Sequence, residues 1–289
     1  MPLSGKTRIY GVIGDPIEHT LSPTIHNAAF NHLKLDFVFL AFRVKATDLE
    51  NAMLGTRGLG ILGLNVTMPH KNKVVDYLDE KDPTVKFLGS ANTILNRGGK
   101  LSGFNTDGIG ALQALRENSV DLSEKKVLLL GAGGAAKAIA FSLAPEVGEL
   151  LILNRAGEKA TKLGEALRQI SDKEIVSGSI SKDVISQNLA DSDVLINATS
   201  VGMHPTADQS LVPRQSLRPD LTVMDIVYNP IETKLAKEAK AAGAKVISGV
   251  EMLIYQGAAS FKIFTDKSAP IKVMRKAALN KLSSAGDTE

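Results

Sequence analysis

Apolar positions along the chain fall into short runs, separated by stretches in which they recur every three or four residues. The first run, residues 8–13, reads RIYGVI, and two more follow at 37–42 and 61–66. Such runs predict strands, and the helical periodicity between them predicts helices at 23–33 and 47–56. Residues 91–96 and 101–104 flank Arg97-Gly98-Gly99, a pattern that predicts a hairpin. A second series opens near Thr106, with strand-like runs at 126–130, 150–153, 194–197, 222–226 and 245–247 and helical or loop stretches between them. Helical periodicity returns at 252–264 and 269–282, and the polar end, 283–289, is expected to fray. This alternation predicts an α/β fold with parallel sheets, and 289 residues suit two domains.

Composition narrows the picture. With 44% apolar and 22% charged residues, a folded soluble chain is expected rather than a disordered one. Residues 1–8 carry charges with no apolar stretch behind them, and 9–13 is too short to cross a bilayer. A cytoplasmic protein with no membrane partner is the expectation. The 34 basic residues are interleaved with 31 acidic ones, for a net charge of +3, and aromatics make up 4%. Neither a basic block nor a stacking platform for nucleic acid is visible, whereas an anionic small molecule is compatible with this balance. The absence of cysteine rules out disulfides, thiolate metal sites and cysteine nucleophiles. The five histidines show no ligand spacing with carboxylates, so no metal is expected and His26 reads as structural.

Five segments are candidates for chemistry. Residues 127–136, VLLLGAGGAA, place Gly131-Ala132-Gly133-Gly134-Ala135-Ala136 directly after a strand and at the start of a helix predicted from 135 to 143. This is a G-x-G-x-x-A turn: Gly131 permits the tight bend, and Gly133 lets the backbone approach a pyrophosphate at the helix N-terminus. A ligand-free strand-to-helix turn is the competing reading. The next strand ends Leu153-Asn154-Arg155, with Lys159 a turn later. No acid stands there to hold a ribose 2′-hydroxyl, and Arg155 suits a 2′-phosphate, although a solvated arginine would look the same. The segment NVTMPHK, 65–71, ends an apolar strand, with Pro69 stiffening the turn before a helix and Lys71 able to move a proton. Alone, such a lysine is usually only solvated. In GFNTDGIG, 103–110, Asn105 or Thr106 could cap a helix whose first turn holds Asp107. In HTLSPTIHN, 19–27, Ser22 could be an N-cap with Pro23 at the first helical position.

Together these segments outweigh their separate bland readings. G-D-P-I-x-H-[ST]-x-S-P-x-x-H-N, N-V-T-x-P-x-K, G-S-A-N-T, N-T-D-G and G-A-G-G-A occur in an order and at spacings that resemble the shikimate dehydrogenase family. YNPIET (228–233) and EMLIYQGA (251–258) extend the resemblance, which runs from Tyr10 to about Phe264. It implies an N-terminal α/β substrate-binding domain, 1–106, completed by C-terminal helices within 250–289, and a Rossmann-like NADP-binding domain with a parallel sheet, 107–249. It also implies reversible NADPH-dependent reduction of 3-dehydroshikimate to shikimate, in chorismate and aromatic amino-acid biosynthesis, by a monomer or homodimer.

Residue by residue, the resemblance makes Lys71 and Asp107 the catalytic pair. Thr20 and Ser22, joined by Tyr228, correspond to groups that grip the substrate carboxylate, and Asn65, Thr67, Asn92 and Gln256 to groups that bind ring hydroxyls. Gly131, Ala132, Gly133, Gly134 and Ala135 correspond to the pyrophosphate loop, and Asn154, Arg155 and Lys159 to the adenosine-phosphate pocket. Ile226 and Gly249 correspond to positions lining the nicotinamide. Two residues depart from the pattern. Thr20 stands where serine is commoner, which leaves quinate, or quinate and shikimate together, as the alternative substrate. Glu251 stands where glycine is common. A non-catalytic sensor on the same fold and another Rossmann dehydrogenase are the remaining alternatives; both Lys71 and Asp107 are present, which disfavours the sensor.

Overall fold

The computed structural model describes residues 3–286, and side chains as far as residue 284. Two compact units form. One comprises the chain through Asp107 and again from Ile254, and the other comprises Gly108–Leu253.

The first unit contains β1 (Arg8–Gly14), α1 (Ser22–His32), β2 (Phe37–Arg43), α2 (Leu49–Gly58), β3 (Gly63–Val66), β4 (Glu80–Lys81), α3 (Pro83–Leu88), β5 (Thr93–Arg97) and β6 (Lys100–Phe104). These six strands lie in the order β2-β1-β3-β5-β6-β4. β1 pairs parallel with β2 and β3, but β5 runs antiparallel to both β3 and β6. The sheet is therefore mixed, not parallel as expected from the alternation of elements. The hairpin reverses the chain, so one of its strands must oppose β3. Its turn is tighter than the sequence suggests: Arg97 pairs with Lys100, leaving Gly98-Gly99 as a two-residue loop with φ of +61° and +88°. Positive φ at both positions is what a turn matched to strand twist demands, and glycine supplies it without steric cost.

The second unit begins within α4 (Asp107–Glu117) and continues through β7 (Lys126–Leu130), α5 (Gly134–Leu143), β8 (Glu149–Asn154), α6 (Gly157–Leu167), β9 (Glu174–Ser179) and α7 (Lys182–Leu189). It is completed by β10 (Val194–Asn197), β11 (Thr222–Asp225), α8 (Lys234–Ala241), β12 (Lys245–Ile247) and the start of α9 (Gly249–Thr265). Its sheet is wholly parallel, in the order β12-β11-β10-β7-β8-β9. The apolar run Val127–Leu130 is fully buried, as expected for a central strand covered on both faces. After β7 the chain builds outward to β9, then returns to lay β10 on the other side of β7. The strand order thus reverses beside Gly131, and such switch points open a crevice at the strands' carboxyl ends.

The last helix, α10 (Ile271–Gly286), runs past the predicted end at 282; Ser283 and Ser284 remain helical where fraying was expected, and 287–289 lie outside the described residues. It packs on α1. The stretch read as charged at 1–8 is described from residue 3 onward. Among the described residues no helix is long and apolar enough to cross a membrane.

An aromatic core closes the first unit. The Tyr10 hydroxyl, on β1, donates to the Phe264 carbonyl at 2.9 Å, tying the end of α9 to the sheet across 254 residues of sequence. Burial pushes the Tyr10 phenol up to about 12. His26, on α1, stacks on Phe39 with ring centroids 4.3 Å apart and lies near Phe30, Phe261 and Phe264. Burial holds its imidazole down to about 3, from an ordinary 6.5, and Nδ1 has no hydrogen-bond partner. It is a core residue, as the sequence suggests.

Two expectations follow from this packing. Below pH 6.5 an unfolded His26 takes a proton that the folded one refuses until about pH 3. Its contribution to stability is therefore complete above pH 6.5 and lost on acidification, by about 1.4 kcal/mol per pH unit across that window. Urea unfolding at several pH values should show a shallower acid slope for His26→Phe than for the parent. In the second unit, Gly131 has φ +118° and a Cβ there would lie 2.7 Å from the Ala198 carbonyl oxygen, whereas a Cβ on Gly134 meets nothing within 4 Å. Gly131→Ala should cost about 1–3 kcal/mol in the same measurement. Gly134→Ala, inside a helix, should cost nothing or stabilise by up to about 1 kcal/mol.

Candidate active site

Strand register gathers the candidate residues of the first unit at the ends of its central strands. β1 and β3 end there, joined by Thr67 N–H donating to the Ile13 carbonyl at 3.0 Å. β5 begins there, with Asn65 opposite Thr93, and β6 ends there, with Phe104 opposite Thr93. Val66 N–H donates to the Asn92 carbonyl at 2.8 Å, and Asn92 N–H to the Phe104 carbonyl at 3.0 Å. The segments that follow or precede these strand ends carry Thr20, Ser22, Thr67, Lys71, Asn92 and Asp107, and of these Lys71, Asn92 and Asp107 are in direct contact.

Lys71 does not open an α-helix, contrary to the sequence expectation. It lies in a turn that leads into a short 3-10 segment, Lys73–Tyr77. Pro69, without an N–H, and the Thr67 carbonyl, which accepts from His70 N–H at 3.0 Å, make that tight turn instead. Its position is fixed from both sides. The Lys71 carbonyl accepts from Ala91 N–H at 2.8 Å, and the buried His70 ring donates from Nε2 to the Val44 carbonyl at 2.6 Å. A carbonyl only accepts, so that nitrogen carries the proton.

Lys71 Nζ donates to Asp107 Oδ2 at 2.6 Å, and Asn92 Nδ2 donates to the other carboxylate oxygen, Oδ1, at 2.7 Å. The Asp107 side chain is only 9% exposed and that of Lys71 27%. The pair is thus charged, close and largely shielded, with the lysine as the more accessible member. The segments GSANT and NTDG interlock behind it. Asn105 Nδ2 donates to the Ser90 carbonyl at 3.2 Å, and Asn105 Oδ1 accepts from Asp107 N–H at 3.1 Å. Asn92 Nδ2 also donates to Thr106 Oγ1 at 3.0 Å.

Asn65 is buried, and its Nδ2 points to the Asn92 carbonyl, Thr93 Oγ1 and Ser260 Oγ at 3.2, 3.1 and 3.0 Å. Gln256, one turn before Ser260 on α9, is half-buried. Thr67 is half-buried too, its methyl 2.5 Å from where a Cβ on Gly14 would sit. At the start of α1 the N-cap is Leu21, not Ser22, and no side chain caps the helix. The helix begins one residue earlier than the capping pattern suggests, which leaves the Ser22 hydroxyl to Thr20: Thr20 Oγ1 donates to Ser22 Oγ at 3.3 Å.

The second unit gathers the other set. Gly133 is the N-cap of α5, no side chain caps that helix, and Cβ atoms on Gly133 and Gly134 would meet nothing within 4 Å. The first-turn N–H groups therefore border open space, the arrangement that suits an anion. Asn154 ends β8 and donates from Nδ2 to the Ala156 carbonyl at 3.0 Å, while Arg155 and Lys159 are exposed. Ile226 and Gly249 are in direct contact, because a Cβ on Gly249 would lie 2.4 Å from the Ile226 carbonyl oxygen. Tyr228 is half-buried, and burial raises its phenol pKa.

Four residues that the sequence reading did not single out hold these sets in place. His70 pins the lysine turn, and Thr93 and Ser260 complete the network around Asn65. Asp225, at the end of β11, accepts from Asn197 Nδ2 at 2.9 Å, Val227 N–H at 3.2 Å and Thr233 Oγ1 at 2.6 Å. It clamps the loop that carries Ile226 and Tyr228, and burial raises its pKa despite those three donors. The available signal was a polar residue in a buried apolar run: Asp225 in TVMD and Ser260 in the stripe with Gly257 and Phe264.

Comparison with known proteins shows the family. Three family models cover most of the chain: the shikimate dehydrogenase substrate binding domain at residues 12–94, shikimate / quinate 5-dehydrogenase at 113–246, and the shikimate 5'-dehydrogenase C-terminal domain at 249–279. The shikimate dehydrogenase (NADP(+)) of Methanopyrus kandleri is 46% identical, over 97% of this chain and 98% of its own length. A crystal structure of a shikimate dehydrogenase in complex with NADP+ superposes with a TM-score of 0.91 at 43% identity, covering 97% of this chain and 98% of the other. The shikimate 5-dehydrogenase of Listeria monocytogenes, in complex with shikimate and NAD, gives 0.91 at 37% identity over 96% of this chain and 98% of its own. Identity of this order over nearly the whole length shows that the chain belongs to the shikimate dehydrogenase family.

Proposed function

We propose that the chain is an NADP-dependent shikimate dehydrogenase, an oxidoreductase that interconverts 3-dehydroshikimate and shikimate through a CH–OH group, with Lys71 and Asp107 as its catalytic residues. The observation that carries the proposal is the chain of contacts from Asn92 through Asp107 to Lys71, at 2.7 and 2.6 Å, beside the end of β3 that carries Asn65 and Thr67. The first unit is the substrate-binding domain in this reading, and the second the dinucleotide-binding domain.

The second unit's residues fit a dinucleotide carrying a 2′-phosphate. The open space over Gly133 and Gly134 admits a pyrophosphate, Gly131 to Ala135 would hold it, and the exposed Arg155 and Lys159 would pair with the phosphate. When bound, that group supplies or accepts the hydride. The chain's own residues handle the proton. In the reducing direction Lys71 Nζ donates to the oxygen on which charge develops at C3, and in the oxidising direction it takes that proton from the hydroxyl. Asp107, itself aimed by Asn92, orients the ammonium and accepts from a substrate hydroxyl. Thr20 and Ser22, with adjacent hydroxyls, suit a carboxylate. Thr67 and Gln256 would contact ring hydroxyls. A cytoplasmic, monomeric or homodimeric enzyme of aromatic biosynthesis is consistent with this reading.

Oxidation of shikimate and of quinate, each with NADP and with NAD, tests the whole proposal. Shikimate with NADP is expected to give the highest kcat/KM; quinate as the better substrate would move the chain to the alternative activity. Two variants test the assigned roles. Lys71→Ala should lower kcat by on the order of 10²–10⁴ with little change in the KM for shikimate, as for a lost general acid–base group. A variant with normal kcat and weaker binding would make Lys71 a binding residue only. Arg155→Ala should raise the KM for NADP by about tenfold or more and leave that for NAD unchanged, because a charge-assisted bond to the 2′-phosphate contributes roughly 1.5–3 kcal/mol. Equal loss with both cofactors would remove Arg155 from phosphate recognition.

A further inference from the structure

We infer that Ser260, on the C-terminal helix α9, is a positioning residue for the Lys71–Asp107 pair, acting through Asn92; this rests on the catalytic reading above. Ser260 is fully buried, so it acts on the chemistry through other side chains. Its Oγ donates to the Gln256 carbonyl at 3.1 Å, the backbone acceptor one turn earlier. That spends its only hydrogen. The lone pairs then face three donors: Asn65 Nδ2 at 3.0 Å, Thr93 Oγ1 at 2.8 Å and Thr106 Oγ1 at 3.2 Å.

Counting hydrogens shows what the serine does. Asn92 Oδ1 already accepts the Thr106 backbone N–H at 2.9 Å, and both threonine hydroxyls lie within reach of it, Thr93 at 3.0 Å and Thr106 at 3.2 Å. A carbonyl-type oxygen has two lone pairs, so one remains for two hydroxyls. Ser260 Oγ takes the second. With Ser260 in place every hydrogen has an acceptor: one threonine donates to Asn92 Oδ1, the other to Ser260, and Asn65 fills the serine's remaining lone pair. Without it, both threonine hydrogens compete for the single free lone pair on Asn92, and Asn65 loses its shortest acceptor. In a buried site an unsatisfied donor moves rather than stays unpaired. The group it displaces is the amide whose other end holds Asp107 Oδ1 at 2.7 Å.

The unmodified chain is first assayed for shikimate oxidation with NADP; no activity would overturn the functional reading and this inference with it. Ser260→Ala is then expected to lower kcat by about tenfold, with the KM for NADP changed by less than about twofold and that for shikimate changed less than kcat. Ser260→Cys, which keeps the volume but accepts hydrogen bonds weakly, should behave like the alanine variant. Competition for Asn92 also predicts a specific coupling. Thr93→Val removes one competing hydrogen, so Ser260→Ala/Thr93→Val should lose no more kcat than Ser260→Ala alone. An active parent whose Ser260→Ala and Ser260→Cys variants keep kcat, or single-variant losses that simply multiply in the double variant, would overturn the assignment.

Discussion

A single backbone donor, the Thr106 N–H, orients the site. It can only donate, so the Asn92 side-chain oxygen must face it at 2.9 Å, and the Asn92 nitrogen must therefore face Asp107. The reversed amide would bring two N–H groups together at one end and two oxygens at the other, in a residue only 3% exposed. Each buried mismatch would cost about 1–3 kcal/mol. The aim of the carboxylate, and through it of Lys71, thus follows from the register of β5 on β6. That register is set by the two-residue turn at Gly98-Gly99. A slip of one residue would turn Thr93 to the other face of the sheet and separate it from Asn65 and Ser260.

Much of this was legible in the sequence because local chemistry and global fold agree there. The run Val127–Leu130 entering Gly131, the hairpin glycines and the helical period of 252–264 each match what the structure contains, to within a few residues. β9, Glu174–Ser179, was not legible. It is an edge strand with one buried residue, Ile175, so its pattern carries almost no period of two. The mixed order of the first sheet was hidden for a related reason: whether a hairpin strand or a crossover strand lies beside β3 depends on contacts between distant segments. The interlocking of GSANT with NTDG was visible only as two separate motifs, because no spacing rule says that Ser90 meets Asn105 or that Asn92 meets Asp107. The helix start at Ser22 was misplaced by the strength of the Ser-Pro capping pattern, which the structure does not use.

The glycines divide into two kinds, and the division separates fold from site. Gly131, Gly108 and Gly249 are required by the protein's own packing, since a Cβ at each would lie 2.7 Å from Ala198 O, 2.1 Å from Ala138 O and 2.4 Å from Ile226 O respectively. Each lets one backbone approach another in the second unit: β7's exit against β10's, α4 against α5, and the start of α9 against the loop after β11. A Cβ on Gly133 or Gly134 would meet nothing within 4 Å, so packing gives no reason for them to be glycine. A side chain at either would instead occupy the space beside the uncapped N–H groups of α5. The contrast argues that the turn serves two needs at once. Its first glycine closes the switch point between β7 and β10, and the later ones leave open the space at the helix N-terminus, an arrangement that suits an anion.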